Sequence, residues 1–384
     1  MNLKGHFSRF LESEPGRLHF AAHSHHPWPD VTFEAHQQAW LDAAEMMDDK
    51  WDHIFGSIIP ETKNRIAGIL GLEDGSSLAF APNTHEFVVR IFSSIEPPVR
   101  VLSTDSEFHS FTRQSRRWEE EGLAIVDRVP AMPFETFGER FTREARSGAH
   151  DLIFLSEVFF DSGFVVSDID RIVSSVSDES TLIVVDGYHA FMARPTNIGA
   201  IQDRAFYLAG GYKYAMSGEG ACFLHSPTGY VPRPVNTGWY AGFGQLETGV
   251  SSLIPYATDG TRFSGATFDP SGVYRMNSVL RWLEEEGIDT ATISSHVASL
   301  QDRFLATGVE PGELVPPRDL GRGNFLTFRT PDASTADEAL RDRRVITDHR
   351  GDRLRIGFGI YQDESDVDRL SAVLADVLAE IRPK

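Results

Sequence analysis

Cysteine is almost missing from this chain: 384 residues contain one, Cys222. An internal disulfide is thereby excluded, and so is a zinc site built on thiolates. Long apolar runs are also lacking, with nothing near the roughly 20 consecutive residues that span a bilayer. No apolar core follows the first residues, Met1 to Phe10, so no secretory leader is expected and the protein is expected to stay in the cytoplasm. Basic residues are in deficit, 36 against 56 acidic ones, for a net charge of −20. A chain so charged repels polyphosphate, which argues against nucleic acid as a partner. Internal repeats and low-complexity blocks are absent too.

The chain does hold short β-branched runs alternating with longer amphipathic ones, the pattern of an α/β protein. Arg100–Ser103, Leu152–Ser156, Thr181–Asp186 and Ala205–Leu208 are apolar on both faces, as buried parallel strands are. Ser77–Pro82 is a further short strand, and Gly220–His225 is expected to run antiparallel to its predecessor. Helices are expected near Thr62–Leu70, from the Asn83-Thr84 cap through Ile95, over Val273–Glu286 and over Ala291–Thr307. Strands at Asn324–Thr330 and Arg353–Gly357, a helix near Ala336–Asp342 and a closing amphipathic helix complete the C-terminal part. The expected plan is an arm and helix over 1–55, a large sheet domain over 56–272 and a small α/β domain over 273–384. The arm, His19 to Pro29, is expected to be extended, because each proline biases the residue before it away from helix. Its helix is expected to use Phe33, Ala39, Trp40 and Ala43 for one face.

Three features carry chemistry. Leu182 to Val185 end in Asp186, with His189 three residues on; an acid just past a buried strand lies at the sheet edge where open α/β folds bind ligands. Lys213 stands between Tyr212 and Tyr214, with Gly210 and Gly211 before it. Crowding by the rings desolvates its ammonium and favours the neutral amine that attacks a carbonyl. Asn83-Thr84-His85 opens a helix whose free amides suit a phosphate. Each has an ordinary reading as well: loop carboxylate, surface lysine, helix cap.

Taken in order, this set resembles the fold-type I pyridoxal 5'-phosphate (PLP) enzymes, and within them the class V aminotransferase group that includes kynureninase and the cysteine desulfurases. The resemblance extends over nearly the whole chain. It implies a large, mostly parallel seven-stranded sheet domain, a small C-terminal domain, PLP as cofactor, an amino acid as substrate and a homodimer. Asp186-Gly187-Tyr188-His189 is similar to the family's D-x-x-H segment, which puts Asp186 at the pyridine nitrogen and His189 near the 3-oxygen. Tyr212-Lys213-Tyr214 looks like the Y-K-Y of kynureninase; Lys213 would bond the cofactor aldehyde and shuttle protons, with Tyr212 as an acid in the relay.

By the same resemblance Phe108, in Ser106-Glu107-Phe108-His109-Ser110, stacks on the ring. Asn83, Thr84 and His85 meet the phosphate, Trp239 of Gly238-Trp239 lies near it, and Thr267 of Gly265-Ala266-Thr267 reaches the phosphate of the partner subunit. Arg355, in the late strand Arg353–Gly357, would clamp the substrate carboxylate, since a planar fork fits it better than an ammonium. His23 and His25 of the arm are substrate-pocket candidates. On an extended arm with His19, His23, His25 and His26, the imidazoles of His23 and His25 could share a ligand, and His36, His53 or Glu34 could in principle complete a metal site. No nearby acid or cysteine forms an obvious one, and a metal is not expected.

Three departures bear on the reaction. Gly211 stands where the family has a phosphate-binding serine, Phe111 where kynureninase has an aspartate, and Ala22-His23-Ser24 replaces its G-N-S. Phe111 and the histidine arm would then shape the active-site mouth for another side chain. The desulfurase chemistry needs a cysteine in the last third of the chain, and none is there. Hydrolytic Cβ–Cγ cleavage, as in kynureninase, is the leading expectation. A class V aminotransferase, a β-eliminating lyase and a catalytically silent ligand-binding homologue are the alternatives. The trio Arg113, Arg116 and Arg117 reads as a solvated helix face opposed by Glu119, Glu120 and Glu121.

Overall fold

The computed structural model describes residues 2–228, 232–243 and 253–382. Its frame is a seven-stranded sheet made of β1 (Leu78–Ala81), β2 (Val99–Thr104), β3 (Ala124–Val129), β4 (Leu152–Ser156), β5 (Leu182–Asp186), β6 (Ala205–Gly210) and β7 (Cys222–His225). The order across the sheet is β1-β7-β6-β5-β4-β2-β3. Pairing is parallel from β3 through β6, while β7 runs antiparallel to both β6 and β1. The strand expected to reverse does so. Every residue of β4 and β6 is buried, because the sheet is covered on both faces and alternation would expose nothing.

β3 was not expected. It is the sheet's edge strand, with only its terminal residues Ala124 and Val129 buried, and its charged Asp127 and Arg128 hide it from a search for apolar runs.

Helices cover the sheet on both sides. α1 (Val31–Met46) packs along the later helix Ser271–Glu285. α2 is Ile59–Leu70, and α3 is Thr84–Phe92, whose Asn83 side chain accepts the Glu86 amide at 3.1 Å as an N-cap. α4 (His109–Glu120) follows β2. The predicted apolar face of α1 is corrected: Trp40 is 70% exposed and Phe33 is exposed, while Thr32 and Asp42 are buried. Asp42 turns inward because the Tyr274 hydroxyl donates to it at 2.8 Å. The arginine trio on α4 is exposed, as expected of a solvated face. Arg117 pairs with Glu120 and Glu121, but Glu119 is taken by Arg128 of the edge strand.

Phe111 is not at a mouth. It is 5% exposed and stacks face to face on Phe154 of β4 at 3.8 Å between centroids, in the core between α4 and the sheet. Phe111→Ala is expected to cost about 3–5 kcal/mol in a urea melt while leaving substrate selectivity unchanged.

After α5 (Ser271–Glu285) and α6 (Thr290–Ala306), a four-stranded antiparallel sheet forms from β8 (Glu313–Leu314), β9 (Phe325–Arg329), β10 (Asp348–Arg350) and β11 (Arg353–Gly357), in the order β10-β11-β9-β8. α7 (Ala333–Asp342) and α8 (Glu364–Ile381) pack on it around a separate apolar cluster that includes Phe328, Leu354 and Leu370. α8 opens with a reciprocal cap between Asp363 and Asp366. Leu18–His19 pairs in parallel with Val345–Ile346 as a separate two-stranded sheet, and the Gly357 amide of β11 donates to the Phe20 carbonyl at 2.6 Å, so backbone bonds join the arm to the small domain. The arm is not extended throughout: the amides of Ser24 and His25 both turn back to the Ala21 carbonyl. That turn separates His23 from His25, and the two imidazoles do not share a ligand. Among the described residues no cluster of His, Cys, Asp and Glu has the geometry of a metal site, and no helix is long and apolar enough to cross a membrane.

Candidate active site

The carboxyl ends of β2, β4, β5 and β6 open into a cavity of about 400 Å³. Open parallel sheets bind ligands at this edge, because the strand order reverses there and the following loops diverge. Asn83, Thr84 and His85 line the cavity from the start of α3, Phe108 from the turn after β2, and Ser156 from the end of β4. Asp186, Tyr188 and His189 come from the end of β5, and Tyr212 and Lys213 from the turn after β6. Residues separated by up to 130 positions thus meet around one space.

Lys213 is 5% exposed, and its Nζ donates to His189 Nε2 at 2.6 Å. The rings of Tyr188, Phe108 and Tyr212 lie 5.0, 5.2 and 5.8 Å from the nitrogen. Burial pushes the ammonium well below the ordinary lysine range, and Asp186 opposes that shift only in part. Burial, with Lys213 alongside, also holds His189 well below its usual value, so the ring is neutral and its Nε2 can accept. Asp186 is raised by burial, its Oδ1 accepting the Tyr188 amide at 2.9 Å. Oδ2 has no hydrogen-bond partner among the described residues. A buried carboxylate that lines a cavity favours a cationic N–H there.

Glu107, between Ser106 and Phe108, went unassigned in the sequence. It is 2% exposed behind the cavity wall, where its Oε1 accepts the Ser156 amide at 3.2 Å and the Thr104 hydroxyl at 2.9 Å. Its Oε2 lies 2.5 Å from Ser156 Oγ. Burial, with Asp186 adding repulsion, pushes this carboxyl up to about 8. Because the folded value lies above the unfolded value of about 4.3, its contribution to stability is complete below pH ~4.3 and is lost as pH rises through about 8. Glu107→Gln supplies the same acceptor and donor without ionising. It is expected to remove a slope of up to about 1.4 kcal/mol per pH unit from urea-unfolding stability measured between pH 5 and 8.

Other expected residues lie apart from the cavity wall. Trp239 is exposed and donates from Nε1 to Thr267 Oγ1 at 3.2 Å. The two are brought together with each other, not with Lys213. His25 is at the rim, its ring 6.3 Å from that of Tyr212 and its Nε2 3.6 Å from Glu219. His23 is fully buried in the arm and turned toward Asp348, and Arg355 lies behind Phe160 and is likewise buried. Cys222 touches the cavity, but burial pushes its thiol up to about 12, the state of an unreactive cysteine. A Cβ at Gly211 would meet Ser217 Oγ at 2.1 Å, so the serine common in relatives has no room here.

Residues 296–374 match the family model of the kynureninase C-terminal domain. No curated protein matches the chain. Among solved structures, the cystine C-S lyase C-DES in complex with its product cysteine persulfide superposes with a TM-score of 0.82 at 15% identity, covering 95% of this chain and 99% of that one. The cysteine desulfurase CsdA from Escherichia coli gives 0.78 at 16%, covering 97% and 98%. The apo cysteine desulfurase from Thermococcus onnurineus NA1 gives 0.79 at 15%, covering 95% of both chains. The architecture is therefore the fold-type I α/β fold shared with these cysteine desulfurases and this C-S lyase, as the sequence led one to expect.

Proposed function

We propose that this protein is a PLP-dependent enzyme acting on an amino acid, with hydrolytic Cβ–Cγ cleavage of the kynureninase kind as its reaction. The observation that carries the cofactor assignment is the meeting of Lys213 and Asp186 across one cavity whose floor is the start of α3. The donor set fits PLP. Asp186 lines the cavity for a pyridinium N–H, the start of α3 lines it with Asn83, Thr84 and His85 for a phosphate, and Phe108 is placed to cover a ring. When bound, the cofactor supplies an electron sink for charge developing at the substrate α-carbon.

The chain's own residues do the rest. Lys213, whose ammonium burial lowers to about 7, would hold the aldehyde and move protons at the substrate α-carbon. His189 accepts a hydrogen bond from Lys213 Nζ and holds it in place. Tyr212, at the cavity wall beside Lys213, is the hydroxyl assigned to proton relay. Arg355 is the carboxylate-binding cation, and Thr267 with Trp239 serves the site of a second subunit in a homodimer.

Hydrolysis is favoured by the kynureninase C-terminal match, and persulfide chemistry is disfavoured by the lone, buried, high-pKa Cys222. A second reading, β-elimination at a C–S bond, is supported by the full-length likeness to C-DES. Purified protein should be yellow, bleach with borohydride and carry the reduced adduct on Lys213. Release of anthranilate and alanine from kynurenine supports the first reaction. Pyruvate and ammonia from cystine would support the second, and amine transfer to a keto acid would support an aminotransferase.

A further inference from the structure

Arg355 does not stand free to await a substrate. Its Nε donates to Asp348 Oδ1 at 2.7 Å and its Nη2 to Asp348 Oδ2, while its Nη1 donates to the Phe160 carbonyl. A guanidinium carries five N–H groups, so two remain. His23 fixes Asp348 from the other side: its ring, neutral because burial and Arg355 lower it to about 4, donates from Nε2 to Asp348 Oδ1 at 3.0 Å. That ring stacks on Phe325 at 4.6 Å between centroids. It also needs a glycine beside it, since a Cβ on Gly357 would lie 2.2 Å from its Nδ1. Arg353, two residues before Arg355 on β11, pairs with Asp161, so both arginines are tied to the same loop of the large domain. Phe160 lines the cavity, and the Phe325 ring lies 5.6 Å from the ring of His189. The arginine is thus adjacent to the site and fully braced.

We propose that Asp348, buttressed by His23, is a positioning residue that holds the side-on edge of Arg355 so that its remaining N–H groups face the substrate carboxylate. This rests on the reading of Arg355 as the carboxylate clamp. A long side chain held in place beforehand loses less rotamer freedom when it binds, which lowers KM with little effect on the chemical step. The arm histidine is then part of carboxylate recognition without touching substrate.

The test uses the holoenzyme with kynurenine, or with cystine if only that turns over, and cofactor absorbance as the check on folding. Asp348→Asn is expected to raise KM at least roughly tenfold with kcat within about threefold. The amine lacking the carboxylate should bind equally well to both proteins, as judged by the shift in cofactor absorbance. Asp348→Glu should recover part of the loss, and Gly357→Ala, which displaces the His23 ring, should raise KM in the same direction. An unchanged KM in Asp348→Asn would overturn the inference. A lower one would do so too, since it means that Asp348 competes with substrate for Arg355. Arg355→Lys separates the two layers: if it raises KM while Asp348→Asn does not, positioning fails and the clamp stands. If Arg355→Lys leaves KM unchanged, the clamp itself is wrong and the inference goes with it.

Discussion

Lys213→Ala is expected to abolish turnover, by on the order of 10³-fold or more, and to yield a protein that loses its yellow colour on gel filtration. The reason is geometric. Among the described residues, Lys213 is the only primary amine lining the cavity, and burial lowers its ammonium to about 7, so that a large share of it is the neutral amine near neutral pH. No neighbour can replace it: His189 is held to Lys213 itself, and the tyrosine hydroxyls of this wall are driven up, not down, by burial. Added small amines should restore some activity, because they supply the base that the variant lacks. Full activity in Lys213→Ala would remove the proposed chemistry.

Asp186→Asn gives the second large effect, roughly 10²- to 10³-fold in kcat/KM, with cofactor still bound through Lys213. An amide has the shape of the carboxylate but cannot keep a pyridine nitrogen protonated, so the electron sink weakens while the site stays assembled. A second readout has a definite sign. The Asp186 carboxylate raises the Lys213 pKa, against burial, which lowers it. Without that charge the amine deprotonates at lower pH, so the pH at which apoprotein begins to take up PLP should move down. Stopped-flow uptake measured from pH 5 to 9 reads this directly.

The parallel core and the placement of Asp186, His189 and Lys213 at its edge were legible in the sequence because both are written locally. A strand buried on both faces has to be apolar at every position, and Leu182 to Val185 or Ala205 to Leu208 meet that condition without help from elsewhere. The acid, the histidine and the lysine sit within a few residues of those strand ends, so finding the strands places them. What escaped was decided by contacts across the chain. β3 is polar because it is an edge. Trp40 fits an apolar face by spacing, yet Asp42 is the residue turned inward, because Tyr274 offers it a hydroxyl more than 200 positions away. Phe111 occupies a position that in kynureninase belongs to the site, and here it fills the core against Phe154. Asp348 lies only seven residues before Arg355, but nothing in that spacing announces that a hairpin folds one onto the other and that an arm histidine from the opposite end of the sequence completes the set.

The backbone ladder between Leu18–His19 and Val345–Ile346 also sets an order of events during synthesis. The ribosome releases the arm first, and its partner strand emerges more than 300 residues later. The large sheet can be complete by then, whereas the unit that braces Arg355 has to wait for almost the entire polypeptide. A nascent chain can therefore close the cavity around Lys213 well before Asp348 is available to pair with Arg355.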